Sequence, residues 1–220
     1  MFTDVDTASM WIAPGRRSLL GLLMIIASPF GPNALADSSP DAAATIKQFN
    51  VALLAAMQAG GRTDFNHRFQ ALASAVDRAF DLRTVLSVSV GLGWASLSQD
   101  QQGRLLDAFR RYTVVSYVAN FDSYAGQTFT VSPEMRSLDA DRVAVKSRIR
   151  PLKGDATELD YVMKRTPSGW KVVDVLAAGS ISRVAVQRSD FRRLLSQGGG
   201  DALLASLQRK TFDLSGGAVT

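Results

Sequence analysis

The chain has 220 residues, with 25 Lys and Arg against 20 Asp and Glu for a formal charge of +5, 46% hydrophobic residues, one His and no Cys. This composition excludes a disordered chain and allows one or two domains with a buried core. It also excludes disulfide scaffolds, thiolate metal sites, iron–sulfur clusters, Cys nucleophiles and multi-histidine centres, which points to a protein working without metal, cofactor or covalent chemistry.

The N-terminus reads as an address. Arg16 and Arg17 precede the apolar run Leu19–Ala27, the breakers Pro29, Gly31 and Pro32 follow, and Ala34-Leu35-Ala36 stands before Asp37. A basic n-region, a short apolar h-region and an A-x-A site form a signal peptide, expected over residues 1–36 with cleavage after Ala36. The apolar run is shorter than the roughly 20 residues that a membrane span needs. The arginine pair also admits twin-arginine export, and Met10 begins a more typical signal than Met1. In a Gram-negative host the exported chain is a periplasmic, basic, cysteine-free protein.

After the signal the first half reads as helices. Ser39 with Pro40 opens a helix through Ala59, carrying Ile46, Phe49, Leu53 and Met57 at helical spacing before Gly60-Gly61. Thr63 caps a second helix with Phe65, Phe69, Leu72, Val76 and Phe80. Asp81 caps a short third one with Leu82, Val85, Leu86 and Val90, stopped by Gly91 and Gly93. Ser98 and Gln101 make a capping box for a long fourth helix, expected to continue to Gly126.

Beyond Gly126 the apolar period falls from 3.6 to 2. Phe129/Val131, Val143/Val145/Ile149, Leu159/Tyr161/Met163 and Trp170/Val172/Leu176 are alternating sets between turn signals at residues 139–141, 153–155 and 167–169. They predict an antiparallel meander with Met163 opposite Val172, Val145 opposite Met163 and all four sets on one face. The other face, with Lys146, Arg148, Asp160, Lys164 and Lys171, is expected to be largely wet. Two short helices, Ser189–Ser196 and Asp201–Lys210, close the chain around Gly198-Gly199-Gly200, with a frayed tail over residues 211–220. The fold class is α+β, with helices on one face of a curved antiparallel sheet and a single domain over residues 37–210.

Few residues suggest chemistry. The three glycines lie between helices with no Lys-Ser/Thr after them, so they are a linker and not a phosphate cradle. His67 reads as a surface residue. Asp174, placed by the alternation on the apolar face in register with Tyr161, reads either as satisfied by a Tyr hydroxyl or a helix N-terminus or as an acid–base pair with Tyr161. Nucleic acid is not an expected partner: the basic residues are scattered and no aromatic–basic interleaving makes a stacking platform. The positive charge suits solvated faces, transient contact with anionic membrane surfaces or attraction to acidic partner proteins.

Three segments carry a resemblance. Phe80-Asp81-Leu82, then Gly91-Leu92-Gly93-Trp94 with Leu97-Ser98 and Gln101-Gln102, resemble the first conserved block of the MlaC/toluene-tolerance family. Leu159-Asp160-Tyr161, residues 168–175 and Gly179-Ser180-Ile181-Ser182 resemble its second, and Arg188, Phe191 and residues 198–207 its ending. An extra residue between Gly179 and Ser182, with residues 214–217, is most similar to the hopanoid-associated HpnM branch. The resemblance implies a cystatin-like or nuclear-transport-factor-like sheet wrapped by helices around a lipid pocket. It further implies a periplasmic component of an ABC-type system that carries a hopanoid or phospholipid between an inner-membrane transporter and an outer-membrane lipoprotein complex. The expected pocket lining is Phe80, Leu86, Val90, Leu106, Phe109 and Tyr117 from the helices, with Val145, Ile149, Tyr161, Met163 and Val172 from the sheet.

Overall fold

The computed structural model describes residues 39–219, so the signal-peptide reading of residues 1–36 lies outside the described residues. The first described helix, α1, spans Ser39–Ala59, and the positive φ of Gly60 turns the chain into a 3-10 segment, Gly60–Arg62. Helix α2 spans Phe65–Ala79. Its cap is Asp64 and not the expected Thr63: the Asp64 carboxylate accepts the His67 N–H at 2.7 Å, and a carboxylate at that position also meets the positive helix end. Asp81 caps α3, Leu82–Val90, through the Thr84 N–H and hydroxyl at 3.0 and 2.6 Å.

A 3-10 segment, Gly91–Ser96, leads to α4, Gln99–Asn120, opened by the capping box expected of Ser98 and Gln101. That helix stops at Asn120 with Phe121 as its C-cap, six residues short of Gly126. Phe121 has left helical geometry with its ring still in the core.

Strands β1, Thr128–Ser137, β2, Arg142–Arg150, β3, Thr157–Thr166, and β4, Gly169–Ala177, form the expected meander, and a two-residue β5, Ile181–Ser182, adds a fifth strand beside β4. Met163 does face Val172, but Val145 pairs with Tyr161, and Val143 takes the place expected of Val145. The larger departure is in β4. Between Val162 and Met163 the ladder shifts so that β4 carries an extra residue, Val173. A bulge of this kind reverses the alternation beyond it. Val175 is therefore buried beside Tyr161, while Leu176 pairs with Asp160 on the other face. Asp174 pairs with Val162, not Tyr161. Asp160, expected to be wet, is 7% exposed under the β4–β5 connection.

Helix α5 runs Arg183–Leu214 with a kink at Gly198 and Gly199, so the two expected closing helices are halves of one longer element that begins at the Ser182 cap. The tail does not fray at Thr211. Thr211 and Val219 are buried, and the Ser215 hydroxyl accepts the Val219 N–H at 3.0 Å.

Helices and sheet share one apolar core. Ile46, Phe49 and Leu53 on α1 lie at most 1% exposed; the helix packs on β1, β2 and β4, with Phe49 meeting Tyr161 of β3, and Val145, Tyr161 and Met163 are equally buried. The junction of α2 and α3 is pinned to the sheet by Phe80, bridged to Val172, and by the Asp81 N–H, which donates to the Val172 carbonyl at 3.0 Å. This attachment leaves the β4 edge to be covered by α3, α4 and the first half of α5. No described helix is long and apolar enough to cross a membrane.

Candidate functional site

A cleft lies over β4 between α3, α4 and the first half of α5. Its buried walls are apolar: Phe80, Leu82 and Val85, Phe109, Tyr112 and Tyr117, Phe121, Val172 and Val175, and Val184. One stripe of α4 supplies much of this, because positions 109, 112, 113, 116, 117 and 120 recur every three or four residues and share a helix face.

Half-buried polar residues mark the mouth: Thr113, Ser116, Asn120, Asp174 and Arg183, with the buried Gln187 beside them. The α4 members present little polarity. The Thr113 and Ser116 hydroxyls donate to the Phe109 and Tyr112 carbonyls at 2.8 and 2.7 Å, and the Asn120 amide donates to the Ser116 carbonyl at 2.7 Å. Hydroxyls that bond back to their own helix leave mainly methyl and methylene groups facing the cleft.

An aromatic cluster backs the site. Phe49 meets Phe80, Tyr117 and Tyr161 edge-on at centroid distances of 5.2, 5.1 and 6.5 Å, and Tyr117 stacks on Phe121 at 6.1 Å. Burial pushes the Tyr117 phenol well above its usual range, the neighbouring Tyr161 pushes the same way, and Arg183 opposes them. Burial also raises Tyr161. Both phenols stay neutral over the range in which proteins work, and neither is poised to exchange a proton.

Asp174 is also engaged. Its Oδ1 accepts the Val175 and Val184 N–H groups at 2.8 and 3.0 Å, and its Oδ2 accepts the Ser182 hydroxyl at 2.5 Å. Ser182 in turn accepts the Ala185 N–H at 3.0 Å. The carboxylate ties the end of β4 to the start of α5, so of the two readings left open by the sequence the helix N-terminus is the one found. The acid–base pairing of Asp174 with Tyr161 is not formed.

Of the expected lining residues, Phe80, Phe109, Tyr117 and Val172 border the cleft. Leu86, Val145, Tyr161 and Met163 are fully buried in the core and do not border the cleft, and Val90 is buried beside the Gly91–Ser96 segment. Leu106 and Ile149 are half-buried and pack against the core away from the cleft. The helical spacing around Phe109 and Tyr117 already contained Tyr112, Thr113 and Ser116. Val175 was hidden by the bulge, and nothing local in the sequence announced that α5 would bring Arg183, Val184 and Gln187 to the same place.

The cleft holds about 50 Å³ of free space, against roughly 300–1,000 Å³ for sites that enclose a small molecule. In this conformation the cleft is too small to enclose a lipid.

The family described as MlaC protein matches residues 47–209. The chain belongs to the MlaC family. The match covers all of α2 to α4, the sheet and most of α5, which places the cleft of this MlaC-family chain inside the shared region. The fold is similar to that of a phospholipid-binding protein from Ralstonia solanacearum solved in complex with a phospholipid. The TM-score is 0.70 at 23% identity, over 80% of this chain and 99% of that one.

Proposed function

We propose that this chain is a lipid-binding carrier: it takes an apolar lipid chain or ring system into the cleft over β4 and holds it between the membranes of a Gram-negative envelope. The observation that carries the reading is the cleft itself, whose buried walls are apolar while its few polar groups sit at the mouth. Membership of the MlaC family and the phospholipid bound by the similar Ralstonia protein support it. A lipid with about 15 buried methylenes costs on the order of 12 kcal/mol to transfer into water, at roughly 0.8 kcal/mol per methylene, so passage between membranes needs a protein wall of matching apolar area. Membership of the MlaC family and the phospholipid-bound relative support a binding protein and not an enzyme.

The finer parts of the reading follow from the family resemblance. Residues 1–36 direct export to the periplasm, an inner-membrane ABC transporter and an outer-membrane lipoprotein complex load and unload the carrier, and the lipid is a hopanoid or a phospholipid. Nothing on this chain need bind nucleotide, because the transporter supplies the energy.

The test is to purify the exported form, extract it with organic solvent and identify released lipid by mass spectrometry. Stoichiometric hopanoid or phospholipid is the expected result, and its identity separates the two. A protein that is empty on purification and takes up neither labelled lipid would overturn the proposal.

A further inference from the structure

Outside the cleft, the end of α3 and the outer face of α5 build a second surface. At Gly91 the chain turns with φ +74°, where a Cβ would stand 3.8 Å from the Arg188 guanidinium. That turn projects Leu92 completely: its side chain is 101% exposed, as open as in an unfolded chain. Val88, also exposed, and the half-buried Trp94 and Leu195 flank it. Arg188 and Arg192, one turn apart on α5, line the same groove. The Arg188 Nε donates to the Val88 carbonyl at 3.1 Å, which holds its guanidinium beside the projecting loop. Neither arginine makes an ion pair among the described residues, and no acidic residue lines this groove or the adjoining one over Ser182 and Ala185.

We propose that this face docks the protein on an anionic lipid bilayer, with Leu92 entering the acyl boundary, Trp94 lying at headgroup depth and Arg188 and Arg192 pairing with lipid phosphates. One fully projecting leucine, an indole at its base and two cations in a groove that no carboxylate lines match the layered chemistry of a membrane interface: apolar inside, aromatic at the boundary, negative at the surface. Guanidinium groups engage phosphate through two parallel hydrogen bonds, and the net charge of +5 favours approach to the same surface. The inference goes beyond the carrier reading and does not need the cleft to hold a lipid.

The test is vesicle flotation of the exported form with phosphatidylglycerol and with phosphatidylcholine vesicles, at low and high salt. Binding to the phosphatidylglycerol vesicles alone is expected, weakened by salt. Leu92→Asp and Arg192→Glu should each weaken it about tenfold or more, on the scale of one leucine kept in water or one cation reversed at the surface. Both positions are exposed, so thermal melts should be unchanged. Absence of flotation, or flotation that neither substitution alters, would overturn the proposal. So would variants that float normally but lose binding to a purified inner-membrane or outer-membrane partner, because the face would then dock protein. Vesicle binding is read without lipid transfer, and a chain with a blocked cleft should float like the unaltered one, so the two readings fail separately.

Discussion

Gln187 of α5 and Ser89 of α3 meet between the two helices beside the cleft, with the Ser89 hydroxyl 3.3 Å from the Gln187 Oε1. Ser89 is fully buried and also lies 2.7 Å from the Val85 carbonyl of its own helix. One hydroxyl proton serves both acceptors, so the tie between the helices is long and shared. Arg188 of α5 also donates to the Val88 carbonyl of α3 at 3.1 Å.

Ser89→Ala should destabilise the fold by about 1 kcal/mol, the net worth of a shared buried hydrogen bond, and should speed exchange of lipid. Stopped-flow transfer of a fluorescent lipid together with a thermal melt checks both parts. Exchange that slows or stays the same would show that opening occurs elsewhere.

Thr113 and Ser116 stand half-buried at the mouth of the cleft, their hydroxyls already turned back to α4. Thr113→Trp should fill the slot and lower lipid uptake by tenfold or more, at a stability cost of about 1–3 kcal/mol, since the ring exceeds the free space there. Equilibrium titration with labelled lipid measures the first effect and urea denaturation the second.

Asp174→Asn should cost about 1–2 kcal/mol, because an amide cannot reproduce a carboxylate that accepts two backbone N–H groups and a serine hydroxyl at a helix start. Chemical denaturation reads the loss. A carrier variant that remains folded should still extract with lipid, whereas a catalytic Asp174 would give a folded protein without turnover.

Stability should fall in alkali through the buried phenols. The folded state holds Tyr117 and Tyr161 above their ordinary value of 10. Unfolded chains lose these protons first, so the stabilising contribution is complete below about pH 10 and is lost as pH rises beyond it. The slope is at most about 1.4 kcal/mol per pH unit for each phenol. Denaturation curves from pH 9 to 11.5 should show it, and Tyr161→Phe should flatten it.

Phe49 contacts three other aromatic rings while only 1% exposed. Phe49→Ala should cost about 3–5 kcal/mol, the scale of removing a ring from a packed core. Urea denaturation measures it, and a loss under 1 kcal/mol would show that the cluster is loosely packed.

Much of this molecule was legible from its residues. Helix starts and stops depend on groups within four positions of one another, so Asp81, Ser98 and Gly91 act where they stand. The meander follows from two-residue alternation between turn residues, and Phe80, Phe109, Tyr117 and Val172 were recognisable as large apolar groups on inward faces. Tertiary structure decided the rest. An apolar residue looks the same whether it fills a core or walls a slot, and only the packing of α1 on the sheet made Val145, Tyr161 and Met163 core and left the free volume at β4. The extra residue at Val173 exchanged Val175 for Leu176 on the inner face, a choice set by hydrogen bonding to β3 and invisible to alternation within β4. The seam between Ser89 and Gln187 joins positions almost a hundred residues apart, and no local pattern encodes a distance of that kind.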